Sequence, residues 1–329
     1  MSEWAYMTGL ILYGKKREEL DNTDYVVLRF LEAAEQMNIT MSICKAEQIE
    51  FAANDNKIRI DGQEVPLPDF FLPNIFFDGY YKNAVVRQLE TLGSYTLNSL
   101  DAILQARDKL HTQQVLAQYG LPALKTKLVN FERLNAPFNP IIDISGIESE
   151  LGYPVVVKNI TGLRGYGINL CETRDQLRDL LELVYQNNKR ASVLLQEFIS
   201  ASRGSALRVY VLGGEIVGHM KHATSTNFKS NFFNNPDCVI EQFELTKELQ
   251  EVSLAIADVF QLNMTGIDYL FDTDGIRVCE VNAFPGFKGL EKATGKNIAH
   301  IVLSYIQKRI EFNKICSNIG EEALSCSAC

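Results

Sequence analysis

Between Met264 and Phe284 the chain reads MTGIDYLFDTDGIRVCEVNAF, two runs of alternating apolar residues with Thr273, Asp274 and Gly275 between them. Period-two alternation around such a turn specifies a β-hairpin with one buried face. This part of the chain is therefore committed to a sheet with antiparallel strands. The hairpin also sets Asp268 and Glu280 on neighbouring strands, with Asn282 two residues beyond Glu280 and on its face. Two carboxylates and an amide offer the hard oxygen ligands that magnesium carried on a triphosphate prefers. A solvated strand face is the plainer reading, but VCEVNAF embeds Glu280 among apolar residues, where a carboxylate without a partner is costly.

The rest of the chain supplies layers for such a hairpin to join. TGLILYG, then amphipathic YVVLRFLEAAEQMN, then ITMSICK reads as strand, helix, strand in an open α/β layer, and FFLPNIFFDGYYKNAVVRQLETLG adds a strand and a helix. The first strand is not followed by G-x-G-x-x-G, so the dinucleotide-binding fingerprint is missing and this module reads as scaffold or substrate wall. NSLDAILQARDKLHTQQVLAQYGLP is one helical stretch ended by Gly120 and Pro122. KTKLVNF, a loop with Pro137 and Pro140, and the strands YPVVVKN and YGINLCE around a glycine loop suggest a small second domain. From about Ala191 a third domain follows, with SVLLQEFI, the hairpin ALRVYVLGGEIVGHMKHA, a polar loop, the helix TKELQEVSLAIADVFQLN and the hairpin already described. A last helix is expected over about Ile298 to Phe312. The expected boundaries are 1–97, 98–190, 191–312 and a flexible, cysteine-bearing tail at 313–329.

The chain has 329 residues, a net charge of −9 and a pI near 5.1. That balance disfavours non-specific attachment to nucleic acid or to anionic membranes, although a few basic residues can still converge in one cleft. The first twenty residues lack the basic and apolar regions of a signal peptide, and no apolar run approaches the roughly 20 residues that span a bilayer. A cytoplasmic protein is expected. Of seven cysteines, Cys44, Cys171, Cys238 and Cys279 read as buried thiols. Cys316 and the terminal CSAC, with Cys326 and Cys329, read as incidental thiols, because nothing nearby completes a four-ligand zinc site.

TGLRGYG places Gly162, Gly165 and Gly167 where backbone amides can close over phosphates, with Lys158 on the preceding strand. Taken alone, a glycine hairpin that merely turns the chain is the plainer reading. In their order, however, the helical stretch from Asn98, GYPVVVKNITGLRGYGINL, LLQEFI, FKSN and GIDYLFDTDGIRVCEVNAFPGFKGLEKATGKNIA resemble the ATP-grasp ligases of the RimK-like branch, the ribosomal-protein-modifying α-L-glutamate ligases and their relatives. The resemblance covers roughly Asn98 to Ile310.

It implies an α/β (α+β) ATP-grasp fold of three domains, an N-terminal α/β pre-ATP-grasp domain followed by two α+β subdomains that clasp ATP. Lys109 and Lys158 match lysines that reach the nucleotide phosphates. The loop with Gly162, Gly165 and Gly167 matches the cover of the triphosphate, and Gln196, Glu197, Phe198 and Ile199 match the adenine hinge. Asp268, Glu280 and Asn282 match the ligands of magnesium, with two ions expected and manganese able to substitute. Arg208 matches an arginine that steadies the phosphate or acyl phosphate, and Lys229 and Asn231 match a loop lining the same cleft. Arg208, Lys158 and Arg164 are the expected catalytic groups, Arg164 being an unusual charge in the glycine loop. Ala206 stands where relatives often carry a ribose-binding aspartate, which makes Ser202 or Ser205 the candidates for that contact. Lys221 and His222 replace two arginines of many relatives.

The implied activity is ATP-dependent joining of a carboxylate to an amine through an acyl phosphate, with glutamate or another amino acid added to a protein, peptide or small-molecule acceptor. Two anions meet when a carboxylate attacks the γ-phosphate, so lysines and metal are needed to offset their repulsion. No protein nucleophile is required, and His111, His219, His222 and His300 read as structural or surface residues. The alternatives are a ligase that tailors a secondary metabolite or ribosomal peptide, and an ATP-binding regulatory protein without chemistry. Relatives often form dimers or tetramers, so a homo-oligomer is an open expectation.

Overall fold

The computed structural model describes residues 6–74, 79–130, 144–160, 167–188, 191–229 and 237–326. The chain divides into two compact units, one of Met1–Ile103, Gln261–Met264 and Phe284–Cys329, the other of Leu104–Phe260 and Thr265–Ala283.

The first unit begins as the apolar patterning predicts. Strands β1 (Thr8–Leu12) and β2 (Thr40–Cys44) pair in parallel, with helix α1 (Tyr25–Gln36) as the crossover that parallel strands require. The buried stripe of α1 is Val27, Phe30, Ala33 and Ala34, at helical spacing. Strands β3 (Ile49–Phe51), β4 (Ile58–Ile60) and β5 (Gln63–Val65) form a small antiparallel sheet that the patterning does not predict, because three-residue strands are too short for alternation to register. Its one sequence signal is Asp61-Gly62, a two-residue turn with φ of 50° and 77°. Strand β6 (Phe70–Pro73) then joins the other side of β1, and helix α2 (Tyr80–Thr91) follows.

The helical stretch expected over 98–122 is two helices, α3 (Leu100–Arg107) and α4 (Lys109–Gln118). Asp108 separates them because its carboxylate accepts hydrogen bonds from the amides of Leu110 (2.9 Å) and His111 (3.0 Å), the capping geometry this residue type favours over a helix interior.

Within the second unit, β7 (Thr126–Asn130), β8 (Val155–Asn159), β9 (Ile168–Cys171) and β10 (Ser192–Glu197) form an antiparallel sheet in the order β7-β10-β8-β9. Helices α5 (Ile144–Leu151) and α6 (Arg174–Asn187) cover one face, packing Ile147, Leu177 and Leu181 on Val155, Val157, Val193 and Leu195. Alternation turns Val156, Lys158, Leu194 and Gln196 to the other face.

Strands β11 (Ser205–Leu212), β12 (Glu215–Ala223), β13 (Val239–Glu241), β14 (Met264–Asp272) and β15 (Gly275–Asn282) make a five-stranded sheet ordered β13-β12-β11-β14-β15. Both hairpins expected from the sequence are present, β11–β12 and β14–β15. Helix α7 (Lys247–Val259) packs on one face, where Ser253 Oγ lies 2.7 Å from Tyr269 Oη. Asp268, one residue before Tyr269, is thereby turned to the opposite face.

The chain returns to the first unit with α8 (Lys288–Thr294) and α9 (Ile298–Cys326). The last helix was expected only as far as Phe312; it continues to Cys326, and among the residues whose burial is described the buried ones run from Ile298 to Ile310. Glu291 ties α8 to α1 by accepting hydrogen bonds from Tyr25 Oη (2.5 Å) and Arg29 Nε (2.9 Å), and it caps α9 through the Ile298 amide (2.8 Å). Asn98 makes a second clamp in this unit, donating from Nδ2 to Met264 O (2.7 Å) and accepting from Met264 N (3.0 Å). Both residues are buried, so Asn98→Ala strands two backbone groups and is expected to lower stability by about 2–3 kcal/mol. Thermal unfolding of the variant measures this, and an unchanged melting temperature would show that the clamp contributes nothing. Among the described residues, no helix is long and apolar enough to cross a membrane.

Candidate active site

Three elements of the second unit carry cations to the carboxylates of the β14–β15 hairpin. Asp268 stands opposite Glu280 in register, and Gly266 opposite Asn282. From β11, Arg208 meets Asp268 with both arms of its fork, Nε to Oδ1 and Nη2 to Oδ2, each at 2.6 Å. Burial opposes the guanidinium charge, but the Asp268 carboxylate outweighs it and raises the arginine's pKa.

From α4, Lys109 Nζ lies 3.4 Å from Glu280 Oε1. Gln113, one helical turn on, explains this placement: its amide donates to Val278 O (3.1 Å) and accepts from Leu124 N (2.8 Å). Seating Gln113 on Val278 lays the preceding helical turn, with Lys109, along the strand that carries Glu280.

From β8, Lys158 Nζ approaches Cys279 Sγ at 3.8 Å, and among the described residues this is its partner. Here the reading of Cys279 as a buried core thiol is corrected. Cys44, Cys171 and Cys238 are buried, but Cys279 is partly exposed, at a register shift in β15 that brings it to the lysine. Burial pushes its thiol pKa up, against the pull of Lys158.

Gln196 shares the face of Lys158 on the adjacent strand. Its Nε2 donates to Thr126 Oγ1 (2.9 Å), while its buried Oε1 accepts no hydrogen bond from any described residue. Glu197 is engaged with Lys125 on both sides, accepting from that amide at Oε1 (2.8 Å) and donating its own amide to Lys125 O (3.1 Å). The Phe198 ring meets Phe228 edge-on at 6.4 Å, and Ile199 is buried. Gly204 holds the loop that carries Phe228: its amide donates to Phe228 O (3.0 Å), and at φ +68° a side chain would strike Asn227 O. Only glycine suits that position. Lys229 follows, with its pKa lowered by burial. A cavity of about 450 Å³ opens beside it, lined by Ile168, Glu172, Arg203, Asn227, Phe228 and Lys229.

Gly167 closes the β8–β9 loop at φ +70°, its carbonyl accepting from Asn159 N at 3.2 Å. Gly162, Arg164, Gly165 and Asn231 lie outside the described residues. Of the two serines weighed for ribose, Ser202 is committed to β14, donating to Phe271 O (2.9 Å) and accepting from Phe271 N (2.7 Å). The Ser205 hydroxyl is buried without a partner among the described residues, yet strand alternation sets it on the face away from Arg208. The structure thus gathers Lys109, Lys158, Arg208, Asp268, Glu280 and Asn282, with Gln196 on the adjoining face.

The oxygen donors of this set suit magnesium. Asn282 Nδ2 points toward Gly266 O (3.3 Å) and Asp268 Oδ2 (3.4 Å), which leaves the amide oxygen as its other polar atom beside two carboxylates. Among the described residues no cluster of three or more His, Cys, Asp or Glu forms a metal cage. A site of few carboxylates, completed by substrate phosphates, is the pattern magnesium uses.

Residues 106–306 match the family model described as the RimK-like ATP-grasp domain, and residues 19–103 match that of the RimK PreATP-grasp domain. The chain belongs to the RimK-like ATP-grasp family. A protein of Vibrio atlanticus named "Probable alpha-L-glutamate ligase" is 33% identical over 267 residues, covering 80% of this chain and 85% of that relative. Among solved structures, the ATP-grasp ligase PsnB complexed with minimal precursor superposes with a TM-score of 0.70 at 19% identity, over 92% of this chain and 99% of PsnB. D-alanine–D-alanine ligase from Bacillus anthracis gives a TM-score of 0.64 at 18% identity, over 95% and 100% of the two chains. These two likenesses show the ATP-grasp fold, here with its N-terminal pre-ATP-grasp domain. This RimK-like chain is an ATP-dependent ligase forming carbon–nitrogen bonds, and ATP-grasp ligases use ATP with magnesium.

Proposed function

We propose that this RimK-like ligase activates a carboxylate as an acyl phosphate and passes it to an amine, with glutamate or another amino acid as one partner and a protein, peptide or small molecule as the other. The observation that carries the reading is a cluster in which Lys109 meets Glu280, Arg208 meets Asp268 and Lys158 meets the thiol of Cys279. A buried Lys158 without an acidic partner among the described residues suits a polyanion. Lys109 and Lys158 hold the ATP phosphates, and Gln196 Oε1 offers an acceptor to the adenine amine. Asp268, Glu280 and Asn282 would hold magnesium, as two ions with manganese able to substitute. Bound there, the metal supplies charge neutralisation on the phosphates.

Arg208 sits on Asp268, and its remaining N–H groups steady the charge that develops as the γ-phosphoryl group moves to the carboxylate. The chain's residues act by binding and orientation, and the incoming amine needs no protein nucleophile. Glutamate is favoured by the name of the Vibrio relative. The free thiols Cys44, Cys171 and Cys238 are in keeping with a reducing cytoplasm. An ADP-release screen across amino acids and candidate acceptors, with product masses, tests the proposal. ADP release that needs both a carboxylate and an amine is expected; release of AMP, or no dependence on either, would refute it.

A further inference from the structure

One residue of β15 breaks the alternation of that strand. Tyr269 pairs with Val278 and Asp268 with Glu280, which leaves Cys279 as the extra residue of a bulge. In a regular strand neighbouring side chains face opposite ways, so a thiol next to Glu280 would be turned out of the cleft. The bulge removes that constraint. Both side chains reach lysines of the cluster, Glu280 Oε1 at 3.4 Å from Lys109 Nζ and Cys279 Sγ at 3.8 Å from Lys158 Nζ.

Lys158 is 8% exposed, and no described carboxylate pairs with it. A lysine head on four rotatable bonds, buried and without an acceptor, would have neither solvation nor a fixed direction. We infer that Cys279 is a positioning residue for Lys158, its sulfur accepting a hydrogen bond from the ammonium and holding the head group at the cluster before nucleotide arrives. A carboxylate in that place would hold the lysine in an ion pair and repel phosphate. Sulfur is a weak acceptor and yields to a phosphate oxygen.

The inference rests on the proposed role of Lys158 toward the ATP phosphates, so its test separates the two. The dissociation constant of magnesium–ATP is measured by calorimetry for the wild type, Cys279→Val, Cys279→Ala, Cys279→Ser, Lys158→Met and the double variant Cys279→Val with Lys158→Met. Cys279→Val and Cys279→Ala are expected to weaken binding about threefold to tenfold, and Cys279→Ser, which keeps an acceptor, less than about twofold. Having two acceptor-free variants guards against a packing defect in either. Lys158→Met is expected to weaken binding at least about tenfold, and adding Cys279→Val to it should cause no further loss. Wild-type affinity in both acceptor-free variants, or an equal loss from Cys279→Val with and without Lys158, overturns the inference while leaving the role of Lys158 intact. Wild-type affinity in Lys158→Met overturns the role of Lys158 and the inference together.

Discussion

Replacing Glu280 with glutamine is expected to lower ADP release in the presence of substrates by about 100-fold or more, roughly 3 kcal/mol of transition-state stabilisation. The substitution keeps the size of the side chain and removes its charge from the site where the metal would be held. It also removes the carboxylate that Lys109 meets at 3.4 Å. Because the Glu280 side chain is 36% exposed, folding should be little affected. Steady-state ADP release and thermal unfolding together check this, and wild-type turnover in the variant would count decisively against the metal assignment.

Arg208→Met is expected to affect both folding and chemistry. The Arg208 and Asp268 side chains are 20% and 11% exposed and share two hydrogen bonds of 2.6 Å, so the methionine leaves a carboxylate largely buried without its cation. Breaking such a pair from one side should cost about 3 kcal/mol of stability. ADP release should fall by about 100-fold, the scale of losing one charge-stabilising donor. Adding Asp268→Asn to Arg208→Met removes the stranded charge, and the double variant should regain most of the stability while staying inactive. Denaturant unfolding beside ADP release separates the two effects. If the double variant recovered turnover along with stability, Arg208 would be structural only.

Much of this site could be read in the residues before the fold was known, because its geometry rests on local rules. The TDG turn joins the strands that carry Asp268 and Glu280, although the bulge at Cys279 is what brings the two opposite each other, and alternation against helix-facing Val155 and Val157 turns Lys158 to the other face. What escaped depended on departures from those rules. The bulge that admits Cys279 shows only as a slipped phase, with buried Val278 and Val281 three apart where a regular strand spaces one face by two. Gln113, which seats Lys109, looks like any polar helical residue until its hydrogen bonds to Val278 and Leu124 are seen. The β3–β5 sheet offered no run long enough to show a period, and α9 continued past Ile310, the last buried residue among those whose burial is described.

Oxygen transfer reports on whether the carboxylate is activated as an acyl phosphate. With the carboxylates of both the amino acid and its acceptor labelled with heavy oxygen, the account predicts ADP and an amide in equal amounts, with one labelled oxygen in each phosphate released. Unlabelled phosphate accompanying amide formation, or label recovered in AMP, would contradict it.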